Sequence, residues 1–109
     1  MASYTVTLAG GTPATSGSKT TSGSTADTAT IAGTDAYATV EIDCTASRGY
    51  VDVRLDGTAA VAGAVTTFRV KAGTQAAVPA AWCSAGSVSV VGSGGNETYE
   101  VNVYPYDPR

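Results

Sequence analysis

The sequence predicts an all-β fold: a compact antiparallel β-sandwich or barrel of seven to eight short strands, in a single domain spanning residues 1–109. Apolar and polar residues alternate with a period of two wherever the chain is not rich in Gly, Ser and Thr, which is typical of strands with one buried face. Turn residues separate these segments at short intervals, and no segment keeps the 3.6-residue apolar period of an amphipathic helix. The apolar residues are mostly Val and Ala, which suit two closely spaced sheets.

The N-terminal quarter of the chain contains one strand followed by a segment of low complexity. Tyr4, Val6 and Leu8 share one face of this first strand. Residues 9–25 are almost free of large apolar side chains, so they bury too little surface to offset the entropy of ordering. We therefore expect a flexible Gly/Ser/Thr-rich loop or N-terminal arm. It is either a long disordered loop or an arm that becomes ordered only against a neighbouring subunit.

The middle of the chain has the clearest alternation. A second strand covers residues 27–32, a third runs from Ala36 to Cys44, and a fourth follows Gly49 and ends at the Asp56-Gly57 turn. The side chains expected to face inward are Ala38, Val40, Ile42, Cys44, Val51, Val53 and Leu55. Those expected to face outward are Tyr37, Thr39, Glu41, Asp43, Tyr50, Asp52 and Arg54. The connection between the third and fourth strands has hairpin length, so we expect these two strands to pair.

The C-terminal half predicts further short strands and one helical turn. The strands are residues 65–71, 75–78, a segment around Val88 and Val90, and 97–104. Pro79 is expected to break pairing because it has no N–H group. The helical turn lies within residues 80–85 and carries Trp82 and Cys83. Prolines end the last strand in an extended tail, residues 104–109.

The charge content restricts the classes of partner. Charged residues make up 14% of the chain, against about 25% in a typical soluble protein, and the net charge is −3. A surface with few charges is easily desolvated, which favours permanent packing against another subunit. The alternative explanation is the base composition of a GC-rich genome. The basic residues form no cluster, so a nucleic-acid partner is not expected.

The N-terminal residues and the two cysteines indicate a compartment. Met1–Leu8 lacks the basic and continuous apolar regions of a signal peptide, and no apolar run is long enough to cross a bilayer. We therefore expect synthesis in the cytoplasm of the host cell and no membrane partner. Cys44 and Cys83 are expected to be reduced, buried and apolar in character. A single disulfide formed after release from the cell is the alternative.

The sequence contains no combination of residues that predicts catalysis. It has no histidine, which removes the Ser-His and Cys-His pairs and the usual histidine metal ligands. Glu41, Asp43, Asp52 and Arg54 are expected to share one exposed face of the predicted hairpin, where a solvated cross-strand charge cluster explains all four. We therefore predict a protein that is not an enzyme, with no cofactor and no metal site.

Four tyrosines are the candidate interface residues: Tyr37, Tyr50, Tyr104 and Tyr106. Tyrosine supplies a large contact area with one polar group and is enriched at protein interfaces. The simpler explanation is that each tyrosine lies separately along a sheet edge with its hydroxyl in water. Sugar stacking uses similar residues, but it would be expected to include an exposed tryptophan.

Three runs of the sequence resemble the small virion proteins of tailed bacteriophages. They are Val51–Gly57, Thr67–Gly73, and Val88–Gly95 followed by Tyr99–Val101. The pattern is most similar to that of head decoration or minor capsid proteins. This resemblance implies a β-sandwich that forms a homo-oligomer, with a trimer favoured. It also implies attachment to the major capsid protein or other virion proteins, and location in the virion. A carbohydrate-binding or adhesive module and a tail- or neck-associated phage protein remain the alternatives.

Overall fold

The computed structural model describes residues 2–34, 37–94 and 96–106. These residues form ten strands and one short 3-10 helix, whose bounds follow in chain order. They are β1 Ser3–Thr7, β2 Ala14–Thr15, β3 Lys19–Thr20, β4 Asp27–Ala32, β5 Thr39–Asp43, β6 Val51–Arg54, β7 Phe68–Val70, β8 Gln75–Pro79, the 3-10 helix Ala80–Trp82, β9 Ser87–Gly92 and β10 Thr98–Tyr104.

The strands form two sheets. The first sheet has the order β1-β4-β9-β6-β7, and the second has the order β2-β10-β5-β8, with β3 also pairing with β10. All pairs are antiparallel except β1 with β4, which is parallel. This parallel pair departs from the purely antiparallel sandwich predicted from the sequence. Because β1 and β4 lie far apart along the chain, the residues between them can return β4 to the same direction.

The core lies between the two sheets and confirms the all-β, sandwich-like fold. Val40 and Ile42 from the second sheet meet Val51 and Val53 from the first, and all four are fully buried. Burial of such a side chain stabilises the fold by about 1.5–3 kcal/mol. The inward faces of these strands agree with the alternation in the sequence, since a strand points successive side chains to opposite faces.

The predicted hairpin between the third and fourth strands is wrong. β5 lies in the second sheet between β10 and β8, whereas β6 lies in the first sheet between β9 and β7. The connection 44–50 therefore crosses from one sheet to the other at the end of the sandwich. A connection of this length fits either arrangement, and alternation identifies the buried face of a strand without identifying its sheet.

Residues 9–25 do not form a separate arm in this structure. Ser16 exchanges two hydrogen bonds with the backbone of Val101, and Thr21 exchanges two with the backbone of Glu97, all at 2.8–2.9 Å. This segment follows β10 as an irregular edge that includes β2 and β3. The expectation of a flexible loop or arm rested on apolar burial alone, whereas backbone groups and hydroxyls form the hydrogen bonds that order this segment.

Pro79 also differs from the expectation. It is the last residue of β8 and lies opposite Thr39 in β5, so it does not end the pairing before it. β8 is an outer strand of the second sheet, and a proline is accommodated where its nitrogen faces away from the neighbouring strand. The 3-10 helix at Ala80–Trp82 confirms the helical turn predicted immediately after it.

Both cysteines are buried as free thiols, as the sequence predicts. Cys44 follows the last residue of β5. Cys83 follows the 3-10 helix, whose first residue, Ala80, donates its amide to the carbonyl of Ala38, just before the first residue of β5. Six residues of extended chain separate Ala38 from Cys44, or about 20 Å. A disulfide needs Cα atoms within about 7 Å, so these two cysteines cannot pair in this fold.

The native thiols are expected to react slowly with a thiol reagent such as Ellman's reagent. Burial, followed by the charge of Asp43, raises the pKa of the Cys44 thiol to about 11, and burial raises the pKa of Cys83. The reactive thiolate is therefore scarce at neutral pH. Unfolding in urea should release two rapidly reacting thiols per chain. Rapid reaction of either thiol in the native protein would contradict this burial.

Candidate interaction surface

One end of the sandwich collects several exposed aromatic side chains. The antiparallel register pairs Tyr104 of β10 with Thr39 of β5, and Thr39 with Pro79 of β8. The chain segments that extend beyond these three positions therefore leave the second sheet at the same end. They carry Tyr106 after β10 and Tyr37 before β5.

The exposed aromatic residues at this end are Tyr37, Trp82 and Tyr106. Their side chains are 81%, 64% and 51% exposed, respectively. Tyr104 adjoins them, with its ring centroid 5.9 Å from that of Tyr106 and the two ring planes tilted by 53°. We call the surface formed by Tyr37, Trp82, Tyr104 and Tyr106 the aromatic end. Trp82 was not among the interface residues predicted from the sequence, which placed it on a helical turn without specifying its exposure.

A buried carboxyl group lies behind Tyr104. Glu41 is only 8% exposed, and its Oε1 accepts a hydrogen bond of 3.0 Å from Asn102 Nδ2 and one of 3.5 Å from the Tyr104 hydroxyl. Burial, the charge of Glu41 and the hydrogen bond to Glu41 raise the pKa of the Tyr104 phenol. Tyr104 is therefore neutral at physiological pH, and its ring is oriented by the strand beside it.

Tyr50 lies away from the aromatic end. It is the last residue of the 44–50 connection, which leaves β5 after Asp43, whereas the aromatic end lies at Thr39, so Tyr50 lies at the opposite end of the sandwich. The guanidinium carbon of Arg69 lies 3.5 Å from the centroid of the Tyr50 ring, a cation–π contact. The structure thus brings together three of the four predicted interface tyrosines and separates Tyr50 from them.

The predicted exposed charge cluster is wrong. Glu41 and Asp43 belong to the second sheet, whereas Asp52 and Arg54 belong to the first. Asp52 is 2% exposed rather than solvated, because the β6–β7 connection covers the outer face of its sheet. Alternation predicts which side of a strand faces the core, but it does not show whether the other side is covered by a loop.

Asp52 lines a shallow cleft of about 240 Å³ on the first sheet, together with Gly63, Ala64, Thr67 and Arg69. Arg69 Nε donates to Asp52 Oδ1 at 3.0 Å, and the Gly63 amide donates to Oδ2 at 2.7 Å. Both carboxylate oxygens therefore have donors within the chain. This arrangement attaches the β6–β7 connection to the sheet, which is sufficient to explain a buried aspartate at this position.

Asp52 is expected to make the free energy of unfolding depend on pH in the acidic range. Burial alone would raise the pKa of this carboxyl, but the hydrogen bonds from Arg69 and Gly63 and the charge of Arg69 lower it below the ordinary value. Its stabilising contribution is therefore complete above the unfolded-state pKa of about 3.9 and is lost as pH falls through the folded-state pKa. Asp52→Asn should cost about 1–2 kcal/mol at neutral pH, and urea unfolding should show this difference narrowing below about pH 4. If the stability difference between Asp52→Asn and the wild type stayed constant down to acid pH, the assignment would be contradicted. Arg69→Met, which removes the other partner of this ion pair, is the matched variant.

A second buried polar cluster connects the two sheets. The Tyr99 hydroxyl donates its one hydrogen to Asp27 Oδ2 at 2.8 Å. In the 2.7 Å hydrogen bond between the Tyr4 and Tyr99 hydroxyls, Tyr4 is therefore the donor. The other Asp27 oxygen accepts from the Ala2 amide at 3.2 Å. Burial raises the pKa of Tyr4 to about 12 and raises that of Tyr99 further. The sequence alternation identified Tyr99 as inward-facing, but it gave no sign that Asp27 is its partner.

Within residues 2–34, 37–94 and 96–106, no group of three or more Cys, Asp or Glu side chains is arranged to hold a metal ion. The same part of the chain contains no helix that is both long enough and apolar enough to cross a membrane. No protein-family model matches the sequence, and neither a curated protein nor a solved structure matches the chain.

Proposed function

We propose that this chain is a non-enzymatic structural protein of a virion, a decoration protein that attaches through its aromatic end to the outer surface of a phage head. The observation that supports this most is the collection of Tyr37, Trp82 and Tyr106 at one end of a rigid sandwich. Aromatic residues dominate the energy of protein interfaces because they bury much area at little cost in conformational entropy.

The chemistry of the surrounding surface agrees with a protein partner. Residues 80–86, which include Trp82, contain no charged side chain, so contact at this segment strips water from no ion. Tyr104 presents a neutral ring whose hydroxyl already has a partner in Glu41. The major capsid protein or another virion protein would then bury the aromatic end. The trimer implied by the resemblance stays a prediction.

Sedimentation of the source lysate, followed by mass spectrometry of the fractions, tests this proposal. We expect the chain to travel with full-sized particles at a copy number comparable to that of the capsid protein. A few copies per particle would indicate a protein of the neck or tail instead. Recovery only at the top of the gradient would overturn the virion proposal.

A carbohydrate-binding or adhesive module is the second candidate, and the exposure of Trp82 is the observation that favours it. Sugar rings stack on exposed aromatic faces, and Trp82, the one tryptophan in the sequence, is 64% exposed. A glycan array probed with the purified chain distinguishes the two proposals. Saturable glycan binding that is lost in Trp82→Ala, together with absence from particles, would favour the adhesive module.

A further inference from the structure

β8 leaves one side of the second sheet open. Among the described residues it pairs only with β5, over Gln75–Pro79. The other outer strands are less suited to pairing with a further strand. β7 has only three residues and includes Arg69, and the β2–β3 edge includes Lys19 and is interrupted between its two strands. β1 lies against β10 and β2 of the other sheet. A five-residue outer strand without a charged side chain is a template for adding another strand.

The hydrogen bonds at both ends of β8 show which backbone groups are open. The Cys44 amide donates to the Thr74 carbonyl, and the Ala80 amide donates to the Ala38 carbonyl, each at 2.9 Å. In an antiparallel pair, residues that exchange hydrogen bonds alternate with residues that do not. Residues 74, 76, 78 and 80 therefore direct their amide and carbonyl groups towards β5.

The intervening residues direct theirs away from the sheet. Gln75 and Ala77 each present one N–H and one C=O at the open edge, and Pro79 presents only its C=O. The missing N–H of Pro79 explains why proline is accommodated in this strand. The edge thus offers two donors and three acceptors in a row.

We infer that β8 pairs with β8 of a second copy of this chain, antiparallel about a two-fold axis through Ala77. In this arrangement the two Ala77 residues exchange both of their hydrogen bonds, and each Gln75 N–H donates to the Pro79 carbonyl of the other copy. Every open donor of both edges is then paired. Only the Gln75 carbonyls stay open, because Pro79, which lies opposite, has no N–H to donate to them.

The side chains also suit a second copy. Gln75, Ala77 and Pro79 carry no charge, so a two-fold axis brings no like charges together. Alanine is small enough to meet its own copy at the axis. The second sheets of two copies would join into one continuous sheet, an arrangement in which each copy contributes the same surface to the contact.

This pairing is independent of the attachment proposed above, because it uses the open edge of β8 rather than the aromatic end. A two-fold pair also differs from the trimer implied by the resemblance. Sedimentation velocity over a concentration series should show the 10.8-kDa chain associating to twice that mass. Amide exchange followed by NMR should show Gln75 and Ala77 becoming protected as the concentration rises, while Ala76 and Val78 are protected throughout.

Ala77→Pro removes one open donor without touching the bonds to β5, and it should raise the dissociation constant at least tenfold. Ala77→Lys and Ala77→Glu should each be monomeric because like charges meet at the axis, and mixing the two variants should restore the pair. Ser24→Lys, on an exposed turn, is the matched charge control.

Circular dichroism and thermal unfolding establish that each variant is folded. A wild type that stays monomeric, or an assembly that persists in folded Ala77→Pro and Ala77→Lys, would overturn the inference, whereas loss of particle attachment alone would not.

Discussion

Replacing Tyr99 with phenylalanine is expected to lower the free energy of unfolding by about 2–3 kcal/mol. The Tyr99 ring is 1% exposed, so the substitution keeps the packing and removes only the hydroxyl. Asp27 then loses a donor at Oδ2, and Tyr4 loses its acceptor. Urea unfolding should show a lower midpoint with an unchanged m-value, because the surface exposed on unfolding is the same.

Tyr4→Phe is the matched control for Tyr99→Phe. It removes the outer hydroxyl of the same cluster but leaves the Tyr99–Asp27 hydrogen bond intact, so we expect a smaller loss of about 1 kcal/mol. The double variant should lose less than the sum of the single losses, because the two hydroxyls share one hydrogen bond. Equal losses in the two single variants would contradict the central position of Tyr99.

Replacing Trp82 with alanine is expected to weaken attachment to the particle about thirtyfold, which corresponds to about 2 kcal/mol. This expectation rests on the proposed function. Trp82 is 64% exposed and is not among the described side chains that form the core or pack against it, so the stability of the isolated chain should change by less than about 0.5 kcal/mol. Binding of the purified variant to particles depleted of the native protein measures the effect.

Val61→Ala is the control for surface truncation. Val61 is 62% exposed, close to the exposure of Trp82. It lies between Ala60 and Gly63, whose amides donate to Ser89 and Asp52 of the first sheet, whereas the aromatic end belongs to the second sheet. We expect this variant to bind particles as tightly as the wild type. Equal weakening by Val61→Ala and Trp82→Ala, or no weakening by Trp82→Ala, would remove the aromatic end from the proposal.

The sequence predicted the buried faces of the strands better than their partners. Val40, Ile42, Val51 and Val53 are all buried, as alternation requires. The pairing of β5 with β6 was nevertheless wrong, because a short connection can either turn back within one sheet or cross to the other. Local pattern determines which side of a strand is apolar, whereas sheet order depends on contacts between residues distant in sequence.

The polar residues were harder to place for a related reason. Asp52 and Glu41 occupy outward positions in the alternation, yet both are buried. The β6–β7 connection covers Asp52, whereas Asn102 and Tyr104 of the neighbouring strand flank Glu41. The aromatic end depends on the same long-range information. Tyr37 and Tyr106 are brought to one end only by the register between β5 and β10, which no local motif in the sequence predicts.

A single-particle reconstruction of virions purified from the source culture tests the central claim most directly. The proposal predicts density for a two-sheet sandwich on the outer face of the shell, with Trp82 and Tyr106 directed towards the shell protein. A shell without this density, or a sandwich bound with its aromatic end in solvent, would contradict it.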